Sequence, residues 1–178
     1  MFERRIDEGL WVKLTVPQFA PELFVVVSEN REFLSRWLLS MEGIDSLEDM
    51  QQQIKGELQK FSYGQGLHET IFYRDRIIGS LGYHYIDSLQ NIGHVRYWLA
   101  EAFTGKGIMT RCLRDLIGIG FDYFALNKVQ AEAAPENHTS RALLERSGFT
   151  EEGTIRSVEK VMGQYLDHTV YGLLHSEL

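Results

Sequence analysis

The sequence predicts an α+β fold: a central mixed, mostly antiparallel twisted sheet of about seven strands, flanked by helices. Three observations carry this. Glu69–Tyr73 and Ile77–Ile86 are β-rich and separated by Arg74-Asp75-Arg76, the pattern of an antiparallel hairpin. Residues 107–125 carry two apolar rows, Ile108/Cys112/Leu116/Ile119 and Met109/Leu113/Ile117/Phe121/Phe124. Two adjacent rows make a wide apolar face, as a helix laid on a sheet requires. The element order is β-α-α-α-β-β-β-α-β-α-β-β, which mixes hairpins with crossovers and is not that of a doubly wound sheet.

Each element has local support. Residues 10–16 alternate and are β-rich, a first strand. Pro17 to Ser28 reads as a helix with Phe19, Leu23, Val26 and Val27 on one side, and a short second helix over about 30–40 carries Phe33, Leu34, Trp37 and Leu38. Asp45-Ser46 before Leu47-Glu48-Asp49 is a cap followed by acidic residues, so a third helix runs to about Tyr63 and ends at Gly64 and Gly66. Gly93–Leu99 reads as a strand. In the long helix Gly118 and Gly120 each cost about 1 kcal/mol relative to Ala, for which close packing on a strand would be a reason. Lys128–Ala133 is a short strand, Asn137–Ser147 a helix closed by Gly148, and Phe149–Arg156 and Tyr165–His175 the last two strands. With three prolines, no repeat and no low-complexity tract, residues 1–178 read as a single domain.

Composition narrows the function. The 178 residues are 44% hydrophobic, enough for one sizeable core. A formal net charge of −7 argues against a general nucleic-acid binder. It fits a protein whose substrate is a cation. A single cysteine excludes an internal disulfide and fits a reducing compartment. No apolar run approaches the ~20 residues of a membrane helix, and no signal core follows Arg4-Arg5, so a cytoplasmic protein is expected. No His/Cys/Asp/Glu cluster has metal-ligand spacing.

The chemistry gathers at residues 97–110, where Tyr97-Trp98-Leu99 leads through Thr104-Gly105-Lys106-Gly107 into a helix. A strand that delivers a glycine turn to a helix N-terminus makes an anion site, because the first backbone N–H groups have no helical partner. Residues 105–110 can supply those donors, with the Thr104 and Thr110 hydroxyls and the Lys106 charge beside them. A P-loop is excluded, since no G-x-x-x-x-G-K-[ST] is present. A dinucleotide fold is disfavoured by the absence of G-x-G-x-x-G. Cys112 falls in an apolar row and reads as core. Trp37, Tyr63, Tyr85 and Tyr97 are candidate cleft aromatics, each more often core than contact.

Thr104-Gly105-Lys106-Gly107-Ile108-Met109, after a strand ending Trp98-Leu99, resembles the acetyl-CoA pyrophosphate loop of the GNAT N-acetyltransferases. Asn137-His138-Thr139-Ser140-Arg141-Ala142 followed by Ser147-Gly148-Phe149 resembles that family's second signature, and the spacing fits. Within the superfamily the chain is most similar to the RimJ/RimL group, nearest its ribosomal-protein-serine acetyltransferase branch. The words Tyr97-Trp98-Leu99, Gly105–Thr110 and Gly163-Gln164-Tyr165-Leu166-Asp167-His168 carry this. The general loop pattern is Q/R-x-x-G-x-G/A, and Thr104 and Met109 stand at its ends here, a change that suits the RimL branch.

The resemblance implies a GNAT fold splayed at an acetyl-CoA site, with acetyl-CoA as cosubstrate and no metal. It implies direct transfer of acetyl to a primary amine, first of all the N-terminal amine of a ribosomal protein, with no direct contact to nucleic acid or membrane. A homodimer is expected from the group. Other acceptors keep the same chemistry: a polyamine, an amino acid or an amine antibiotic. A CoA-binding sensor without turnover is the reading from a different class. By the same resemblance Trp98, Leu99 and Ala100 form a bulged strand whose free backbone groups bind pantetheine, with an N–H near Leu99 as oxyanion donor. Asn137 would hold pantetheine, Ser140 would meet the leaving sulfur, and Glu159, between the last two strands, would be the general base. His84 and His94 are rival bases, because histidine titrates in the right range. Trp37, Tyr85 and Tyr97 are the candidate substrate contacts. Many family members place an acidic Tyr on the second-signature helix; Asn137–Ser147 has none.

Overall fold

A computed structural model describes residues 2–38, 43–161 and 163–178. The strands are β1 (Glu3–Asp7), β2 (Leu10–Leu14), β3 (Leu67–Tyr73), β4 (Arg76–Asp87), β5 (Ile92–Leu99), β6 (Lys128–Ala133), β7 (Thr150–Val161) and β8 (Gln164–Leu174). The α-helices are α1 (Ala20–Glu29), α2 (Arg31–Leu34), α3 (Leu47–Ser62), α4 (Ile108–Asp122) and α5 (His138–Arg146). The strands form one sheet of order β1-β2-β3-β4-β5-β6-β8-β7. Among the described residues every neighbouring pair is antiparallel except β5 and β6. The fold class expected from the sequence is therefore the one observed, with one strand more.

The extra strand is β1. Glu3–Asp7 is charged at four of five positions and alternates between exposed and half-buried, so it lacks an apolar stripe. It is held by its arginine. Arg4 forks onto Glu69 of β3 at 2.7 and 2.8 Å and reaches Asp115 of α4 at 2.6 Å. Glu69 is 0% exposed, so this is a charge pair inside the sheet–helix interface.

The sheet carries a core on each face, as strand alternation dictates. One core gathers Ile78, Leu81, Val95 and Leu99 beneath Cys112, Leu113, Leu116 and Ile117 of α4. The other gathers Ile77, Phe72 and Trp98 beneath Leu23 and Val27 of α1 and Met50 and Ile54 of α3. The α3 start is capped reciprocally: Ser46 Oγ accepts from Asp49 N at 3.2 Å and donates to Asp49 Oδ2 at 2.7 Å. In α4, Gly120 lies under Tyr83, whose hydroxyl donates to Leu116 O at 2.9 Å and occupies the place of a Cβ. Gly118 has nothing within 4 Å of its Cβ position, so close packing does not account for it.

Several boundaries move. The second helix ends at Leu34, with Trp37 in the turn that follows; residues 39 and 40 of the expected span lie outside the described residues. β7 continues to Val161, beyond the expected Arg156, so Glu159 sits in a strand and not in a loop. No helix among the described residues is long and apolar enough to cross a membrane.

Candidate active site

The site is built where the sheet opens. β5 pairs with β6 from Ile92↔Lys128 to Val95↔Ala131 and no further. Beyond that point Arg96–Leu99 stays bound to β4, while Glu132 and Ala133 stay bound to β8. The two halves part, and a cavity of about 410 Å³ fills the gap.

A bulge near Leu99 does not produce this opening. β5 runs in regular register from Leu99↔Gly79 to Val95↔Tyr83, and the extra residue is His84 on β4. What frees Leu99 is alternation. The Ala100 N–H is bound to Ile78 O at 2.8 Å, on the β4 side. The N–H of Leu99, one residue earlier, therefore points to the side that β6 has left.

At one end of the cavity stands the glycine turn. Gly105 and Gly107 have φ of 72° and 67°, left-handed conformations that favour glycine. Gly107 is the N-cap of α4 and brings no capping side chain, so the N–H groups of Ile108, Met109 and Thr110 meet the cavity without a helical partner. This donor set and the positive end of the helix fit a diphosphate. Two expected helpers are turned away. Lys106 Nζ donates to Ala102 O at 2.6 Å and lies over the Phe103 ring, and Lys106 does not line the cavity. Thr104 lines it, but its hydroxyl is bound to Glu101 O at 2.8 Å.

Asn137 and Ser140 form the wall across the gap. Asn137 caps α5, its Oδ1 accepting from Ser140 N at 3.1 Å. That use of the carbonyl oxygen leaves the amide NH₂ as the group available for a ligand. Ser140 Oγ lies 2.7 Å from Tyr97 Oη of β5. Burial pushes the Tyr97 phenol up to about 12, so it keeps its proton.

On the other face Arg96 and Trp98 point the same way along β5. Here the cavity meets Glu159, His168 and Glu132. His168 Nδ1 is 3.0 Å from Glu132 and its Nε2 is 3.2 Å from Glu159, whose other oxygen is 3.4 Å from Arg96. Hydrogen bonds to both carboxylates raise His168 to about 9, and the His168 hydrogen bond holds Glu159 below the usual carboxylate range. Glu159 is thus an ionised acceptor and a weak base. His84 and His94 also line the cavity; burial lowers both, His84 to about 4, and leaves them neutral at pH 7.

The cavity therefore brings together Trp37, Tyr97, Trp98 and Leu99 with Thr104, Gly105, Gly107, Ile108, Met109 and Thr110 of the turn, and with Asn137, Ser140 and Glu159. Ala100 is not part of its lining, its N–H being spent on Ile78. Tyr85 is 49% exposed and leans on the His94 ring outside it, and Tyr63 is exposed elsewhere. Cys112 is buried in the core. Sequence reasoning missed Arg96, Glu132 and His168. The available signals were the shared parity of Arg96 and Trp98, and the unexplained histidine closing Gly163–His168.

Known proteins share this architecture. The model of the acetyltransferase (GNAT) domain family matches residues 13–150. A Bacillus subtilis (strain 168) protein named "Putative ribosomal N-acetyltransferase YdaF" is 32% identical over 99% of this chain and 97% of its own. The ribosomal-protein-serine acetyltransferase of Escherichia coli (strain K12) is 24% identical over 94% of this chain and 93% of its own. Among solved structures, RimL, a ribosomal L7/L12 alpha-N-protein acetyltransferase in complex with coenzyme A, superposes with a TM-score of 0.92 at 24% identity, covering 96% of both chains. The family match spans most of the chain and includes the glycine turn and the Asn137–Ser140 wall, so the chain belongs to the GNAT family and is an N-acetyltransferase.

Proposed function

We propose that the protein moves the acetyl group of acetyl-CoA directly to the N-terminal amine of a protein, a ribosomal protein first of all. The observation that carries this is the continuity of the cleft. It runs from the uncapped N–H groups of α4, past Leu99, to an ionised carboxylate on the far side of the sheet.

Acetyl-CoA supplies an activated acyl carbon; the amine nitrogen bonds to that carbon as its bond to sulfur breaks. The N–H groups of Ile108–Thr110 hold the diphosphate and the Asn137 amide holds the pantetheine arm. The Leu99 N–H donates to the acyl oxygen as it gains charge. The Tyr97–Ser140 pair donates a hydrogen bond to the sulfur, which leaves as the CoA thiolate, and Glu159 accepts a hydrogen bond from the amine. The amine's proton leaves through water beside Glu159. A carboxylate this weak as a base suits an α-amine, with pKa about 7.7–8.0, better than a lysine at about 10.4. The names of the relatives, ribosomal N-acetyltransferase and ribosomal-protein-serine acetyltransferase, support the same acceptor. Coenzyme A bound to RimL supports the cosubstrate. Such an acceptor places the enzyme in the cytoplasm, working as one GNAT domain over residues 1–178.

Mass spectrometry of a panel of peptides and small amines, incubated with acetyl-CoA and the protein, tests this. The expected product is acetyl on the α-amine of peptides beginning with a small residue. Acetylation of spermidine but of no peptide terminus would overturn the proposed acceptor.

A further inference from the structure

The proposed chemistry uses Glu159 but leaves its neighbours without a task. His168 comes from β8, Glu132 from β6 and Glu159 from β7, three adjacent strands. Glu159 reaches the cluster because β7 is irregular. Ile155 pairs with His168, but Glu159 already pairs with Leu166, so extra residues bulge out between them. Ser157 takes a φ of 52° in this bulge, and its N–H donates to Asp167 Oδ1 at 2.8 Å. A bulge re-aims the side chains around it. Here it carries Glu159 to His168, with both side chains little exposed, at 13% and 11%.

We infer that His168 is a positioning residue of the acceptor site: wedged between Glu159 and Glu132, it fixes the direction of the Glu159 carboxylate and balances its charge, while Glu132 holds the ring from behind. This rests on the reading of Glu159 as the carboxylate that meets the amine.

The hydrogen-bond inventory supports it. An imidazole with a carboxylate against each nitrogen can satisfy both only by donating from both, which makes it a cation. The cation then faces two anions, and Arg96 neutralises the other side of Glu159. Among the described residues, the other titratable groups that face the cluster are His94 on β5 and His84 on β4, both lowered by burial and neutral. Remove His168, and Glu132 and Glu159 lose the cation between them, with Arg96 left on the far side of Glu159. Losing that cation and its hydrogen bonds makes each carboxyl easier to protonate. A protonated Glu159 no longer offers an anion to an incoming amine.

Two measurements on the full chain test this. Long-range ¹H–¹⁵N NMR of the protein without substrate reads His168 directly. Both ring nitrogens should stay protonated at pH 8, and Glu132→Gln should lower the titration by at least about one pH unit. A His168 that titrates near 6.5, the ordinary value, would overturn the clamp. The second measurement is the ratio of His168→Gln to wild-type kcat/KM for one acceptor peptide from pH 4.5 to 8.5, in which the peptide's own ionisation cancels. The ratio should be level above about pH 6.5 and fall several-fold towards pH 4.5, as one pH unit of change at Glu159 implies, with the KM for acetyl-CoA within about twofold. A ratio that is flat with pH would reduce His168 to a packing role. If the wild type acetylated no amine, the acceptor reading would fail, and the NMR titration would still decide whether His168 is clamped.

Discussion

Tyr97 Oη and Ser140 Oγ lie 2.7 Å apart, the one hydroxyl on β5 and the other in the first turn of α5. Two hydroxyls hold two hydrogens, and their mutual bond uses one. Whichever oxygen donates, one hydrogen is left for the cleft. The pair should therefore act as a unit. Ser140→Ala and Tyr97→Phe should each lower kcat about tenfold, modestly because a thiolate is a good leaving group. The double variant should be hardly worse than either, and the KM for acetyl-CoA should barely move. Steady-state kinetics of the four proteins checks this; fully additive losses would show two independent roles.

Gly107 holds a φ of 67° at the start of α4. Gly107→Glu adds strain of about 1–2 kcal/mol and sets a carboxylate over the anion site. The affinity for CoA should drop by at least about 100-fold, the loss of roughly 2.7 kcal/mol. Titration calorimetry measures it. Unchanged affinity would remove the glycine turn from the cosubstrate site.

Arg4 meets Glu69 where the carboxylate is fully buried. Arg4→Met leaves that charge with its main partner gone and should cost roughly 3–5 kcal/mol in urea unfolding. Arg4→Met with Glu69→Leu should recover most of the loss, because a buried ion pair is replaced by apolar packing. A single variant as stable as wild type would show that β1 is held by its backbone alone.

His168 has a folded-state pKa of about 9, above the ordinary 6.5. A base raised by folding contributes stability that is complete below pH 6.5 and lost as pH rises towards 9. With allowance for screening by water at the cleft, the loss across that window should be roughly 2 kcal/mol. Unfolding free energies from pH 6 to 9 should show this slope in the wild type and not in His168→Gln. A slope of the same size in both would assign it to other groups.

Much of this was legible in the sequence for definite reasons. The α4 apolar rows and the Gly105/Gly107 turn are local patterns, and each survives folding nearly unchanged. Asn137 and Ser140 sit three apart, so a single helix start brings them to one wall. β1 was illegible because its hold on the sheet is Arg4 reaching partners 65 and 111 residues away. The charged cluster was illegible for a similar reason. Arg96, Glu132, Glu159 and His168 lie on four strands, and each reads alone as a surface polar residue. The bulge at Ser157 hid the extent of β7, since residues looped out of the ladder break the strand pattern before Glu159.

The parallel pairing of β5 and β6 spans four residue pairs, between two antiparallel half-sheets. Among the described strands no neighbouring pair is joined by fewer residue pairs. The open end of this seam is where the glycine turn, borne by one half, looks across at α5, borne by the other. A cosubstrate laid along that seam would act as a suture, adding the tie between the halves that the backbone withholds. The enzyme would then be most rigid when loaded and loosest after product departs, so that turnover and breathing of the sheet share one axis.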